Sequence, residues 1–191
     1  MVFQYPEYQL FAETVGKDVA FGYKNFNPDA KDEEVNAAVE RALTLVGIDP
    51  SLMNKSPFEL SGGQKRRVAI AGVIVTSTEV LVLDEPVEGL DPRGNRGACK
   101  TVVIVSHDMD EVAENCNRAA VFSDGRVVGE GTTKEIFDRG EELSSLRLGV
   151  PLTAYLSGEL GRQGINLDLS DYTEDGFVSA VEKYITRDIR R

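Results

Sequence analysis

Histidine, cysteine and positive charge are scarce in this sequence, and each shortage excludes something. Lysine and arginine number 21 against 32 aspartates and glutamates, a formal net charge of −11. Non-specific binding to nucleic acid needs a basic face, and this balance argues against it. Only the small local run Lys65-Arg66-Arg67 stands out from the acidic background. The two cysteines, Cys99 and Cys116, lie far apart with no CxxC spacing, the pattern of reduced thiols rather than of a disulfide framework or a zinc site. Long apolar runs are missing too: Val68 to Val75 falls far short of the ~20 residues a membrane span needs. The opening "MVFQYPEYQLF" carries neither a basic segment nor a long apolar run, so no signal peptide is expected. Internal repeats and low-complexity segments are absent. What remains is an ordinary globular composition, 191 residues with 41% hydrophobic and 28% charged, enough for one domain or one plus a small appendage.

Val2 to Gln4 read as the tail of a strand, followed by the Pro-containing loop "YPEYQLF". The run "NPDAKDEEVNAAVERALTLVG" predicts a helix with Pro28 at its first position and acids in the first turn, where the dipole favours them. Val35, Val39, Ala42 and Val46 form its apolar stripe, and Gly47 ends it. "SPFE" (Ser56 to Glu59) has the pattern of a capping box and predicts a short helix. After Gly63 a second helix is expected, with Val68, Ala71, Gly72 and Val75 on one buried face. "EVLVLDEP" and "KTVVIVSHD" have the composition of strands buried on both faces of a parallel sheet. "RAAVFSDGRVVGEGT" predicts two antiparallel strands around Ser123-Asp124-Gly125, and "TTKE" a further capping box at Thr132. From about Arg139 the character changes to helices of a small tail module, joined by the polar stretch Asn166 to Tyr172. The expected architecture is α/β with parallel strands, residues 1–138 forming the main domain and 139–191 a helical tail.

Three clusters carry chemistry. Asp84 and Glu85 end a hydrophobic strand, at the edge of the sheet where open α/β folds bind ligands. Neighbouring strand residues point opposite ways, so the two acids are expected to take different roles. The first suits a water-bridged Mg²⁺ ion, and the second can polarise an attacking water. His107, the only histidine, follows the second apolar run. A lone histidine at a strand end is more often structural, but on a second strand of this type it could sit beside Asp84 and contact a terminal phosphate. The loop Leu60-Ser61-Gly62-Gly63-Gln64 tips the balance. Glycines let backbone N–H groups approach an anion closely, a helix N-terminus adds its positive dipole end, and Ser61 adds a hydroxyl donor.

In this order the motifs resemble those of ABC-type ATPases. "LSGGQKRR" is similar to their signature, "VLVLDEP" to the Walker B strand, "EGLDP" to the D-loop and "VIVSHD" to the H-switch, while Gln4 resembles the Q-loop glutamine. More narrowly, "QYPEYQLFAETVGKDVAFG", "SPFELSGGQKRRVAIAGVI" and the stretch after Gly131 resemble the ATPase subunits of energy-coupling factor transporters for vitamins and metals. The resemblance implies ATP and Mg²⁺ as cofactors. It implies that Gln4 senses Mg²⁺ and water and links the site to a membrane partner, that Asp84 supports Mg²⁺, and that Glu85 is the general base. Asp91 would communicate across a dimer and His107 would contact the γ-phosphate. Ser61, Gly62, Gly63 and Gln64 would close over ATP held by the opposite subunit. It further implies a second ATPase subunit, a membrane-embedded component and a substrate-binding membrane subunit as partners, at the cytoplasmic face of the membrane.

The sequence departs from that pattern in three places. The phosphate loop G-x-x-x-x-G-K-[ST] does not occur; the Gly16-Lys17 pair is followed by Asp18 and lies five positions after Phe11. Only Arg93 to Lys100 stand between "EGLDP" and the second strand, where a helical crossover returning along a ~17 Å strand needs about eleven residues. Val87-Glu88 replaces the small Thr-Ala-like pair usual before GLDP and adds a negative charge there. Two readings therefore stand beside an active ATPase subunit: a non-catalytic protein whose LSGGQ loop completes only a partner's site, and a truncated product without activity.

Overall fold

The computed structural model describes residues 1–86 and 101–188, and the chain divides into two compact units, one ending at Val105 and the other starting at Ser106. Asp91, the rest of "EGLDP" and the Arg93–Lys100 connection lie outside the described residues.

The first unit packs three helices and a short parallel sheet around one apolar core. Its first helix, α1 (Val15–Phe26), is missing from the sequence reading. Thr14 caps it by accepting the Lys17 N–H, and the Asp18 carboxylate folds the preceding loop back by accepting the N–H groups of Phe11 (2.9 Å) and Ala12 (2.8 Å). Val15 and Val19, one turn apart, are fully buried.

The second helix, α2 (Asp32–Leu45), starts later than the sequence predicts. Asn27 still closes α1, its backbone N–H and side-chain amide both donating to the Tyr23 carbonyl. A turn closed by Ala30 N–H to Asn27 O follows, so Pro28 belongs to the connection and not to the helix. Asp32, Glu33 and Glu34 do fill the first turn, and the stripe Val35, Val39, Ala42 and Val46 is buried as expected. Gly47 takes a φ of 68°, which lets Ile48 N–H reach the Leu43 carbonyl and Gly47 N–H reach that of Thr44. This pair of hydrogen bonds, with Ile48 and Leu43 both buried, is the Schellman ending that glycine permits.

"SPFE" forms a single 3₁₀ turn, Pro57–Glu59, with Ser56 Oγ accepting the Phe58 N–H. Beyond it, α3 (Gly62–Ile74) lies against α1 where two glycines meet. A Cβ added to Gly22 would stand 2.6 Å from the Gly72 carbonyl oxygen. Alanine normally stabilises a helix interior relative to glycine, but here overpacking at about 1–3 kcal/mol outweighs a propensity gain of at most about 1 kcal/mol. Gly22→Ala is therefore expected to lower the urea midpoint at unchanged slope. A midpoint at or above that of the parent would mean that α1 and α3 do not approach this closely.

Strands β1 (Val80–Asp84) and β2 (Thr101–Val105) pair in parallel, from Val80 opposite Thr101 to Asp84 opposite Val105. Val2 adds a parallel bridge to Leu83 on the other edge, donating its N–H to Val82 O (2.8 Å) and accepting that of Asp84 (3.0 Å). β1 is thus central, with Leu81 and Leu83 buried. The expectation of burial on both faces fails for β2, where Val103 is 43% and Val105 49% exposed. Its alternate residues point away from the described core, the pattern of a strand packed on one face.

The second unit holds α4 (Met109–Asn115), the hairpin β3 (Arg118–Ser123) and β4 (Arg126–Thr132), and the helices α5 (Thr133–Phe137), α6 (Gly140–Ser145), α7 (Leu152–Arg162) and α8 (Glu174–Asp188). Asp124 and Gly125 both have positive φ (49° and 73°), as a two-residue hairpin turn matched to strand twist requires. Thr132 and Glu135 form the predicted capping box, with both reciprocal hydrogen bonds present. The Thr132 N–H, helped by the Thr132 hydroxyl, holds the Glu135 carboxyl below the usual range. Ala113, Ile136, Phe137 and Leu143 make the core. The polar stretch is tied onto it: the Tyr172 ring meets Phe137 edge-on at 6.0 Å, its hydroxyl donates to Asp138 (2.6 Å), and its carbonyl accepts the hydroxyl of buried Thr153 (2.6 Å).

Asp171 stands just before this tether. Its carboxylate accepts the hydroxyl (2.5 Å) and N–H (3.0 Å) of Thr173, and that side-chain hydrogen bond, opposed by burial, holds its acid below the usual range. A depressed folded-state pKa contributes stability above the unfolded value of ~3.9, lost as pH falls through the folded value. Thermal melts should be flat from pH 7 to 5 and decline below about pH 4, and Asp171→Asn should make that decline shallower. An identical acid slope in the two proteins would remove this account.

Candidate functional site

Ser61 starts α3 and caps it. Its Oγ accepts the Gln64 N–H (3.3 Å) while its own N–H donates to Gln64 Oε1 (3.0 Å). The pair is an S-x-x-Q capping box, legible in the sequence though not singled out there. Ser61, Gly62 and Gly63 are exposed. A Cβ on Gly62 would meet nothing within 4 Å, and one on Gly63 only Arg67 Nη1 at 4.0 Å. The first amides of a helix lack intrahelical acceptors. With Ser61 taking that of Gln64, the amides of Gly62 and Gly63 are left to an outside acceptor at the positive end of the helix.

Gln4 and the acid pair stand at one end of the sheet. Val2 is level with Leu83 and runs parallel to β1, so the chain leaving Val2 leads toward the C-terminal edge of β1, with Gln4 exposed two residues on. Asp84, half-buried, is the last strand residue and hydrogen-bonds to Val2 O through its N–H. Glu85 lies past the strand in left-handed backbone, φ 47°, with its N–H on Val105 O at 2.8 Å. Strand alternation therefore does not decide the direction of Glu85, contrary to the sequence argument for the pair. The carbonyl of Glu85 accepts a hydrogen bond from Arg66 Nη2 (3.3 Å), so α3 and the end of β1 are linked directly.

Sequence reasoning missed Arg66 in this role, and a basic residue five positions into a helix gives little signal of it. It also missed the strain. Tyr5, next to Gln4, has φ 57°, so two non-glycine residues in left-handed backbone flank the same sheet edge. Such conformations cost of order 1–2 kcal/mol each and are often held at functional sites.

His107 is exposed and belongs to the second unit, whereas the acids belong to the first. It immediately precedes Asp108, which caps α4 by accepting the N–H groups of Asp110 (2.9 Å) and Glu111 (3.1 Å). Among the described residues no group of three His, Cys, Asp or Glu side chains could hold a metal alone. Mg²⁺ typically takes one or two carboxylates plus waters and substrate phosphates. The hard oxygens of Asp84 and Gln4 fit that requirement. No helix among the described residues is long and apolar enough to cross a membrane.

A parallel sheet with an acid pair at its edge and a helix opening on Ser-Gly-Gly defines the class, the ATP-binding cassette fold. The family model described as ABC transporter matches residues 1–88. The structure is similar to cbiO1 of Clostridium perfringens, described as part of the ABC transporter complex cbiONQ, with a TM-score of 0.62 and 38% identity over 81% of this chain and 65% of that one. The energy-coupling factor transporter ATP-binding protein EcfA2 of Clostridium acetobutylicum is 41% identical across 98% of this chain and 68% of its own length. The same-named protein of Clostridium tetani is 45% identical across 91% of this chain, which spans 64% of that relative's length. The chain belongs to the family of energy-coupling factor transporter ATP-binding proteins.

Proposed function

We propose that the chain serves as an ATP-binding subunit of an energy-coupling-factor-type importer, energising uptake of a vitamin or metal ion. It would act at the cytoplasmic face of the membrane beside a second ABC ATPase subunit, identical or not, a membrane-embedded component and a substrate-binding membrane subunit. Residues 1–138 would form the ATPase part and 139–191 the tail. The observation that carries this reading is the exposed Ser61-Gly62-Gly63 opening of α3, with open space over Gly62. It suits phosphates presented by another subunit. Asp84 and Gln4 would hold Mg²⁺, which supplies charge neutralisation on the phosphates. Glu85 would take the proton of the attacking water, His107 would contact the γ-phosphate, and Asp91 would act at the dimer contact.

A second reading rests on the same exposed opening: the chain completes a partner's ATP site without hydrolysing ATP itself. Both are tested by mixing the chain with a full-length partner subunit and measuring ATP turnover. The mixture is expected to exceed the partner alone, and Ser61→Arg is expected to remove the excess. A mixture no faster than the partner, insensitive to Ser61→Arg, would end both.

A further inference from the structure

We propose that Asp110 and Glu114 are positioning residues that make the placement of His107 depend on the folded tail. Both lie on α4, one turn apart, and each carboxylate takes the first amide of a different helix. Asp110 Oδ1 accepts the Leu152 N–H of α7 at 2.7 Å, and Glu114 Oε1 accepts the Glu174 N–H of α8 at 2.6 Å. A first amide has no intrahelical acceptor, and the dipole favours a carboxylate beside it. The residue before α7 is Pro151, whose side chain offers no oxygen, so α7 relies on Asp110 for this bond.

α4 has only seven residues, too few to define its own orientation. Its inward residues Met109, Val112 and Ala113 pack on the core of the unit. Two anchored carboxylates at i and i+4 then fix its rotation and its slide along its axis. Asp108 caps the same helix, and His107 is the residue before the cap. The imidazole is thereby carried by an element whose placement two tail helices share. If His107 contacts the γ-phosphate, as the functional proposal holds, tail and phosphate contact are coupled through α4.

The test uses the full chain labelled at histidine, where His107 is the only residue observed. Leu152→Pro deletes the donor without touching α4. Proline suits a first helical position, and the Leu152 side chain is 57% exposed. Leu152→Pro and Asp110→Ala are expected to move the ring signals in the same direction, the double variant no further than the larger single. Asp110→Asn, whose amide oxygen still accepts, should stay near the parent. Amides in the first turn of α7 should exchange about 5-fold faster once the cap is lost. Unmoved ring signals with faster exchange in α7 would overturn the coupling, and unchanged exchange would overturn the cap. Should Asp110→Ala fail to fold, Leu152→Pro decides alone. Turnover with a partner subunit separates the two proposals: if His107→Ala leaves turnover intact while the ring signals still shift, the role of His107 falls and the coupling stands.

Discussion

Titrated with a fluorescent ATP analogue, the 191-residue chain should show no saturation at micromolar concentration. A phosphate loop supplies about four or five charge-assisted hydrogen bonds at about 1.5–3 kcal/mol each, so at least roughly 6 kcal/mol. Moving from micromolar to millimolar binding takes only about 4 kcal/mol. No G-x-x-x-x-G-K-[ST] occurs in the sequence, and Lys17 of the Gly16-Lys17 pair is engaged in an ion pair with Glu13 at 2.6 Å. The exposed amides of Gly62 and Gly63 cannot replace that loop, since two hydrogen bonds at an open helix end fall well short of its total. Saturation at micromolar ATP would refute this and show another phosphate grip in the chain.

The second large effect is expected from Leu83→Ala, at about 2–5 kcal/mol of stability. Leu83 is among the largest fully buried side chains, on the strand hydrogen-bonded to Val2 on one side and to β2 on the other. Its loss leaves a cavity in the core, directly before Asp84 and Glu85. Urea unfolding of the first unit measures it. A loss below about 1 kcal/mol would mean the site collapses freely and that β1 is not the rigid platform described.

Much of this fold was legible because its signals are local. The hairpin turn at Asp124-Gly125, the Thr132–Glu135 box, the stripe of α2 and its Gly47 ending each depend on a few neighbouring residues. Helix α1 escaped notice: Thr14 and the Val15–Val19 pair signal it, but its cap is completed by Asp18 reaching back to Phe11 and Ala12. Pro28 misled because first-turn preference says nothing of how long the preceding helix holds the chain.

The residue order alone determined the family, since LSGGQ, LDEP and their spacing are written in one dimension. Only tertiary structure decided that Val2 pairs with Leu83, that Arg66 reaches the Glu85 carbonyl, and that Asp110 and Glu114 cap helices 42 and 60 residues away. Capping boxes and turns are closed by bonds between near neighbours, so short patterns report them. Strand register and long-range caps depend on which of many possible partners the packed core brings within 3 Å, and no short pattern carries that choice.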